Sequence, residues 1–290
     1  MRIILPKEDI KGERVTISGE KARYLISVLR CNAGDELQIL DNEGNCYKSR
    51  ITGIENKKVT VDLLERFLCD TESPLNLILI QGILKGEKMD MVIQKTTELG
   101  VKEIIPAITD RSQVRHTRKT ARWRKIAEEA SRQCGRTMVP VIHEPMGFDK
   151  LFTPNVIARS LATKQSHLSE IALPTARNDR GKQMKGFVFW EEGGVSFGEA
   201  VQRIKMQNTD TPPNPPLSKG GHGGVNSQLS TLNSQLFIAI GPEGGFTKEE
   251  VTFAVFKGLI ATSLGKRILR SETAAISAVA LIQFLIGDID

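Results

Sequence analysis

From Leu236 to Ile286 the chain runs apolar segment, glycine turn, helix start, apolar segment, glycine turn and apolar helix. No other stretch narrows the fold as much. Leu236–Ile240 carries no polar side chain, so it reads as a strand covered on both faces, as in a parallel sheet. Thr247-Lys248-Glu249-Glu250 has the capping-box pattern that opens a helix, and Phe246 stands where it can staple onto Val251. The turn Gly241-Pro242-Glu243-Gly244-Gly245 is therefore held at both ends. Its glycines permit positive φ and close backbone approach to a ligand. It is not a P-loop, because no Gly-Lys-Ser/Thr follows, and it departs from the dinucleotide fingerprint. Leu259–Leu264 is the next strand. Gly265 opens the second turn, in which Lys266, Arg267 and Arg270 crowd ahead of Ser271, Glu272 and Thr273. Ser271 or Thr273 can cap the helix Ala274–Ile286, and Glu272 complements its positive end. Capping alone does not explain the cations before it. Two glycine turns leaving strand ends make a cradle for a small ligand.

Working back, the same α/β alternation begins at Leu75. Leu75–Gln81 reads as a buried strand, Gly86–Leu99 as a helix with Met89, Val92, Ile93 and Thr96 inward, and Val101–Ile108 as the next strand. Gly186–Trp190 is a further strand, ahead of a second capping box at Ser196–Glu199. Shorter strand candidates lie at Val139–Ile142 and Asn155–Ala158. Two polar, weakly periodic stretches, 160–185 and 208–235, read as inserted loops, the second rich in Pro and Gly. Residues 1–71 differ. Short strands at Arg14–Ser18, Asp35–Asp41, Cys46–Ile54 and Val59–Leu64, with turns between them, suggest a small β-barrel. One helix, Lys21–Arg30, interrupts them with Tyr24, Leu25, Val28 and Leu29 on one face. Two domains follow, 1–71 and 72–290, and 290 residues suffice for both.

A net charge of +6 makes a polyanion a reasonable partner. The cations concentrate in Arg111–Arg136, with nine Lys or Arg against two acids. Trp123, Ile126, Ala127 and Ala130 would face inward there, leaving Arg118, Arg122, Lys125 and Arg132 for a nucleic-acid backbone. A solvated basic face would look the same. Aromatic residues make up only 5%, which excludes a broad base-stacking platform. Cys31, Cys46, Cys69 and Cys134 form no CxxC pair and no zinc-spaced set with histidine, so free thiols in a reducing cytosol and no metal are expected. Ala274–Gly287 is too short to cross a bilayer and the N-terminus lacks a signal-peptide core, so a cytoplasmic protein without membrane contact is expected.

GPEGGFTKEEV followed by LGKRILRSETAAISA resembles the signature of the SPOUT-class RNA methyltransferases. More narrowly it resembles the bacterial family that methylates N3 of a uridine in small-subunit (16S) ribosomal RNA. Lys85–Asp90, Gln94–Val101, Ala127–Arg136 and Tyr24–Arg30 with Gly34-Asp35 resemble further blocks of that family, so the likeness spans nearly the whole chain apart from the inserts. The resemblance implies an N-terminal PUA-like barrel and a C-terminal parallel-sheet α/β domain with a trefoil knot, a rare topology that periodicity cannot suggest. It implies S-adenosylmethionine as cofactor, held by Glu191, Ile240, Gly241, Pro242, Glu243, Gly244, Gly245, Leu264, Gly265, Ile268, Leu269 and Arg270. Trp190-Glu191-Glu192 would supply a third wall. It implies a homodimer with Ala274–Ile286 near the interface, and ribosomal RNA or the small subunit as partner, engaged by Arg23, Arg30, Lys88, Arg111, Arg115, Arg122 and Arg132.

Methyl transfer to N3 needs positioning and loss of the N3 proton. Arg270 or Arg136 would stabilise the developing charge, Glu272 or Glu98 would take the proton, and Thr273 would orient the base or cap its helix. A relative acting on another RNA base, or an RNA-binding assembly factor without catalysis, remains open at this point.

Overall fold

The computed structural model describes residues 1–152, 184–207 and 235–289. The expected strand 155–158 and nearly all of the two expected inserts lie outside them.

Five strands build the first sheet: β1 (Arg2–Ile4), β2 (Arg14–Ile17), β3 (Glu36–Leu40), β4 (Asn45–Glu55) and β5 (Lys58–Leu68). Their order is β1-β3-β4-β5-β2, with β1 parallel to β3 and every other pair antiparallel. Asn56 and Lys57 join β4 to β5 with φ of 50° and 62°. Positive φ at both positions is the hairpin geometry that follows the strand twist. Alternate residues of all five strands, among them Ile3, Val15, Leu37, Ile51 and Val61, meet in one core, so the sheet curls around it.

Beneath that core lies α1 (Gly19–Arg23), shorter than the helix expected over Lys21–Arg30. It passes into a single π turn over Tyr24–Val28, where the Leu29 N–H donates to the Tyr24 carbonyl at 3.0 Å. The wider turn rotates Val28 out to 64% exposure, so the expected apolar face is broken there.

The cysteine expectation is also corrected. Cys46 and Cys69 form a disulfide with Cα atoms 6.0 Å apart, and only Cys31 and Cys134 are free thiols. Hairpin pairing brings this about, because Cys46 stands opposite Phe67 and β5 delivers Cys69 two residues later.

The second sheet has eight strands, all parallel where they pair. They are β6 (Leu77–Gly82), β7 (Glu103–Ile108), β8 (Val141–Ile142), β9 (Met146–Gly147), β10 (Lys185–Phe189), β11 (Val195–Ser196), β12 (Leu236–Ile240) and β13 (Leu259–Ser263). The order is β11-β13-β10-β12-β6-β7-β8, with β9 beside β7. β6 and β12, at the centre, are buried at every position, which is why they read as unbroken apolar runs.

Helices cover both faces: α2 (Lys88–Glu98), α3 (Thr120–Cys134), α4 (Phe197–Gln207), α5 (Lys248–Phe256) and α6 (Ser271–Ile286). On one face α2 buries Met89, Val92, Ile93 and Thr96 beside Ala275, Ala278, Val279 and Ile282 of α6. On the other, Phe246, Val251 and Ala254 pack with Phe148 and Phe152. The box at Thr247 is complete: Thr247 Oγ1 accepts from the Glu250 N–H and the Glu250 carboxylate accepts from the Thr247 N–H. Gly135, at φ 84°, ends α3 as its sequence requires.

The two sheets meet around the 69–76 linker. Arg136, 3% exposed, pairs with Glu72 at 2.8 Å and donates to the carbonyls of Thr97 and Val101, each at 2.8 Å. The Arg132 guanidinium lies 3.9 Å over the Tyr24 ring, and Lys125 pairs with Glu20 at 3.2 Å.

Candidate active site

Because β13, β10 and β12 are parallel neighbours, the loops that follow them open at one edge of the sheet. The carboxyl edge of such a sheet is where ligands bind in α/β folds. The three loops enclose a cavity of about 520 Å³. Phe189, Trp190 and Glu191 form one wall, the Gly241–Gly245 loop the second, and Ser263–Arg270 the third.

The floor is fixed by a side chain that sequence patterning passes over. Gln81, fully buried at the end of β6, donates from Nε2 to the Gly82 carbonyl at 3.0 Å and the Gly241 carbonyl at 3.4 Å. It also donates to Ser271 Oγ at 3.0 Å, and Ser271 Oγ donates in turn to the Gly241 carbonyl. Ser271 therefore ties α6 to the first glycine loop instead of capping its helix, and Arg270 is the N-cap residue without a side-chain cap bond.

Beside it, a Cβ on Gly82 would run into the Pro242 backbone nitrogen, so only glycine lets strand and loop touch. A Cβ on Gly241 would come within 2.9 Å of the Gly245 carbonyl carbon. Gly245, at φ 69°, lies against the Glu191 carboxylate. Close packing, as well as approach to a ligand, therefore calls for glycine at 241 and 245. Side chains there would strike the loop itself and Glu191.

Charge gathers at the mouth. Lys88, the first residue of α2, reaches Glu243 Oε1 at 3.3 Å and Glu272 Oε2 at 3.8 Å. The Lys85 N–H also donates to Glu243, at 3.0 Å. Burial pushes the Glu243 carboxyl up, but the hydrogen bonds from the Lys85 backbone and from Lys88 outweigh it and hold the group below the usual carboxylate range. Glu272 is 9% exposed, and its Oε2 is buried without a hydrogen-bond partner. Lys266, Arg267 and Arg270 are exposed on the opposite rim and have no partner among the described residues.

Of the residues expected to hold a cofactor, Glu191, Ile240, Gly241, Pro242, Glu243, Gly245, Leu264, Gly265, Ile268, Leu269 and Arg270 line this cavity. Gly244 does not; its carbonyl accepts from Arg111 at 3.1 Å on the outer side of the loop. Of the expected catalytic residues, Arg270 and Glu272 line the cavity, whereas Thr273 is exposed on α6 beside it. Arg136 is a correction. Its guanidinium is buried against Glu72 and two carbonyls at the linker, and it does not line the cavity. Glu98, the alternative base, pairs with Lys95 at 3.0 Å and does not line the cavity.

The expected RNA contacts divide as sharply. Arg23 and Arg30 are exposed on the first sheet's helical turn, and Arg115 donates to the Asp110 carbonyl at 3.0 Å. Arg122 pairs with Asp90 at 2.7 Å, and Arg132 pairs with Glu129 as well as covering Tyr24. Lys88 belongs to the cavity instead. Its signal in the sequence is its place at a helix N-terminus, where the helix dipole disfavours a cation and a carboxylate partner is needed.

The RNA methyltransferase domain family matches residues 71–210 and 218–283, and the RNA methyltransferase PUA domain family matches residues 17–64. Among named relatives, the ribosomal RNA small subunit methyltransferase E of Buchnera aphidicola is 29% identical, covering 94% of this chain and 88% of its own. The protein of the same name from Bacillus subtilis is 28% identical, over 97% and 94%. Among solved structures, a ribosomal RNA small subunit methyltransferase E from Neisseria gonorrhoeae bound to S-adenosyl methionine superposes with a TM-score of 0.74 at 28% identity, covering 100% of this chain and 99% of that one. With the family match spanning all three strands and both glycine loops of the cavity, the chain belongs to the RNA methyltransferase domain family, joined to an RNA methyltransferase PUA domain.

Proposed function

We propose that the protein is an S-adenosylmethionine-dependent methyltransferase that acts on N3 of a specific uridine in small-subunit (16S) ribosomal RNA. The observation that carries this is the three-loop cavity, which presents a buried carboxylate, Glu272, and a rim of unpartnered cations at one opening.

The residues present fit the cofactor. A cavity of about 520 Å³ lies within the range of small-molecule sites. Phe189, Trp190, Ile240, Leu264 and Leu269 offer apolar surface for an adenine, and the glycine loops bring backbone donors and acceptors close. When bound, S-adenosylmethionine supplies a methyl group activated by a positively charged sulfur. The chain's own part is to hold the uridine over that methyl and to manage the N3 proton. Glu272 is the carboxylate placed to accept it, and Arg270 stands where it can face the negative charge that N3 and its flanking carbonyls develop. Lys266 and Arg267 sit beside Arg270 where an RNA backbone would pass.

The trefoil threading is part of the same reading. The segment after β13 returns across β12, tied to Gly241 through Ser271, before α6 packs on α2. A homodimer is supported by Leu281, Phe284 and Leu285, exposed at 40%, 61% and 38% along one side of α6. A cytoplasmic site of action follows from a ribosomal substrate.

Mass spectrometry of small-subunit RNA from a deletion strain tests the proposal. N3-methyluridine should be missing at one position and return when purified protein and S-adenosylmethionine are added. An unchanged level excludes this target, and loss of a different methylated base assigns the same chemistry to another site.

A further inference from the structure

Lys88 is placed against the local rule for helices. It is the first residue of α2, where aligned peptide dipoles leave a partial positive charge, and a cation there destabilises the helix. Its ammonium is nonetheless drawn in between two carboxylates on different segments, Glu243 of the first glycine loop at 3.3 Å and Glu272 of α6 at 3.8 Å. Glu243 has a second donor, the Lys85 N–H at 3.0 Å. Glu272 has no such reserve. Its Oε2 is buried with no hydrogen-bond partner, and among the described residues Lys88 is the cation within ion-pair distance of it.

We propose that Lys88 is a positioning residue for the methyl-transfer reaction: its ammonium holds the Glu272 carboxylate at the cavity mouth, in the place from which it accepts the proton of the target base. This rests on the functional reading above and deepens it. Lys88 then acts on the reaction through Glu272. At 3.8 Å the contact is looser than a hydrogen bond, so Glu272 Oε2 is restrained yet keeps its acceptor capacity. A tight bond would use that capacity up. Glu243 anchors the other side of the ammonium, and with the Lys85 backbone it keeps Lys88 from swinging into solvent.

The experiment compares wild type, Lys88→Met, Lys88→Arg, Glu272→Gln and the double variant Lys88→Met/Glu272→Gln. It measures kcat and KM for ribosomal RNA, S-adenosylmethionine affinity by calorimetry, and RNA affinity across a salt series. Lys88→Met should lower kcat by roughly 10- to 100-fold, part of what a general base contributes. Cofactor affinity and the salt slope of RNA binding should stay within about twofold of wild type, which also reports that the variant is folded. Lys88→Arg should recover most of the loss, and Lys88→Met should cost nothing further once Glu272 is Gln.

A kcat within about threefold of wild type overturns the proposal. So does an unchanged kcat with a raised KM and a salt slope reduced by about 0.9, which makes Lys88 a phosphate contact. Weakened cofactor binding at normal kcat, matched by Glu243→Gln, overturns it in favour of a loop anchor. Wild-type protein that methylates no RNA overturns the functional reading, and this assignment with it.

Discussion

Arg136 shows how a side chain's partners limit its chemistry. An arginine has five N–H donors, and here four of them go to the Thr97 and Val101 carbonyls and the Glu72 carboxylate, with the side chain 4% exposed. Removing one member of a buried pair leaves the other charged and unsolvated. Arg136→Ala should therefore cost about 3–5 kcal/mol of stability, read as a lower urea midpoint at unchanged slope. A loss below about 1 kcal/mol would mean that water reaches the pair. Nothing in the sequence separates Arg136 from Arg270, since each is an arginine beside a helix end, Arg136 after α3 and Arg270 before α6. What distinguishes them is three-dimensional, the closing of the linker over one and the opening of the cavity beside the other. Ser271 reads as a cap for a similar reason. Its place before an apolar helix suits one, but the Gly241 carbonyl, 30 residues earlier in the chain, competes for the same hydroxyl.

At the level of elements, periodicity locates the central strands to within a residue or two, because a strand buried on both faces leaves no polar interruption to misplace. Leu236–Ile240 is bounded as its sequence indicates. The turn at Tyr24–Val28 is not legible, since a π turn breaks the period on which the reading depends. Charge along α3 misleads in another way. Counting nine cations ignores where the acids lie, and Asp90, Glu144, Glu20 and Glu129 come to meet Arg122, Arg124, Lys125 and Arg132. Lys266, Arg267 and Arg270, by contrast, have no partner among the described residues and stand at the cavity rim. Lys266→Ala with Arg267→Ala should weaken RNA binding and flatten its dependence on log salt by roughly 0.7–0.9 for each phosphate no longer neutralised. Arg122→Ala with Arg132→Ala should leave that slope unchanged. Fluorescence anisotropy of an RNA fragment across a salt series distinguishes the pairs, and the reverse ranking would return the footprint to α3.

For the whole molecule, the Cys46–Cys69 bond crosses the end of the first sheet next to the linker, while Cys31 is buried and Cys134 exposed. Burial also pushes the Cys31 thiol up, which slows its reaction. Unreduced protein should take up two alkyl groups after denaturation and four after reduction, with Cys134 modified before Cys31 in the folded state. Mass spectrometry counts them, and four without reductant would exclude the bond. The linker tie and the disulfide secure the join between the sheets. The close approach at Gly82 does the same inside the second sheet, and its effect reaches further than its size. A Cβ at position 82 would lie 2.4 Å from the Pro242 nitrogen, so any larger residue there would push the glycine loop away from the central strand. A mutational screen scored on ligand affinity would record position 82 as part of the binding surface, although Gly82 lies behind the loop and does not line the cavity. Read naively, such a map would draw the recognition surface one layer too deep.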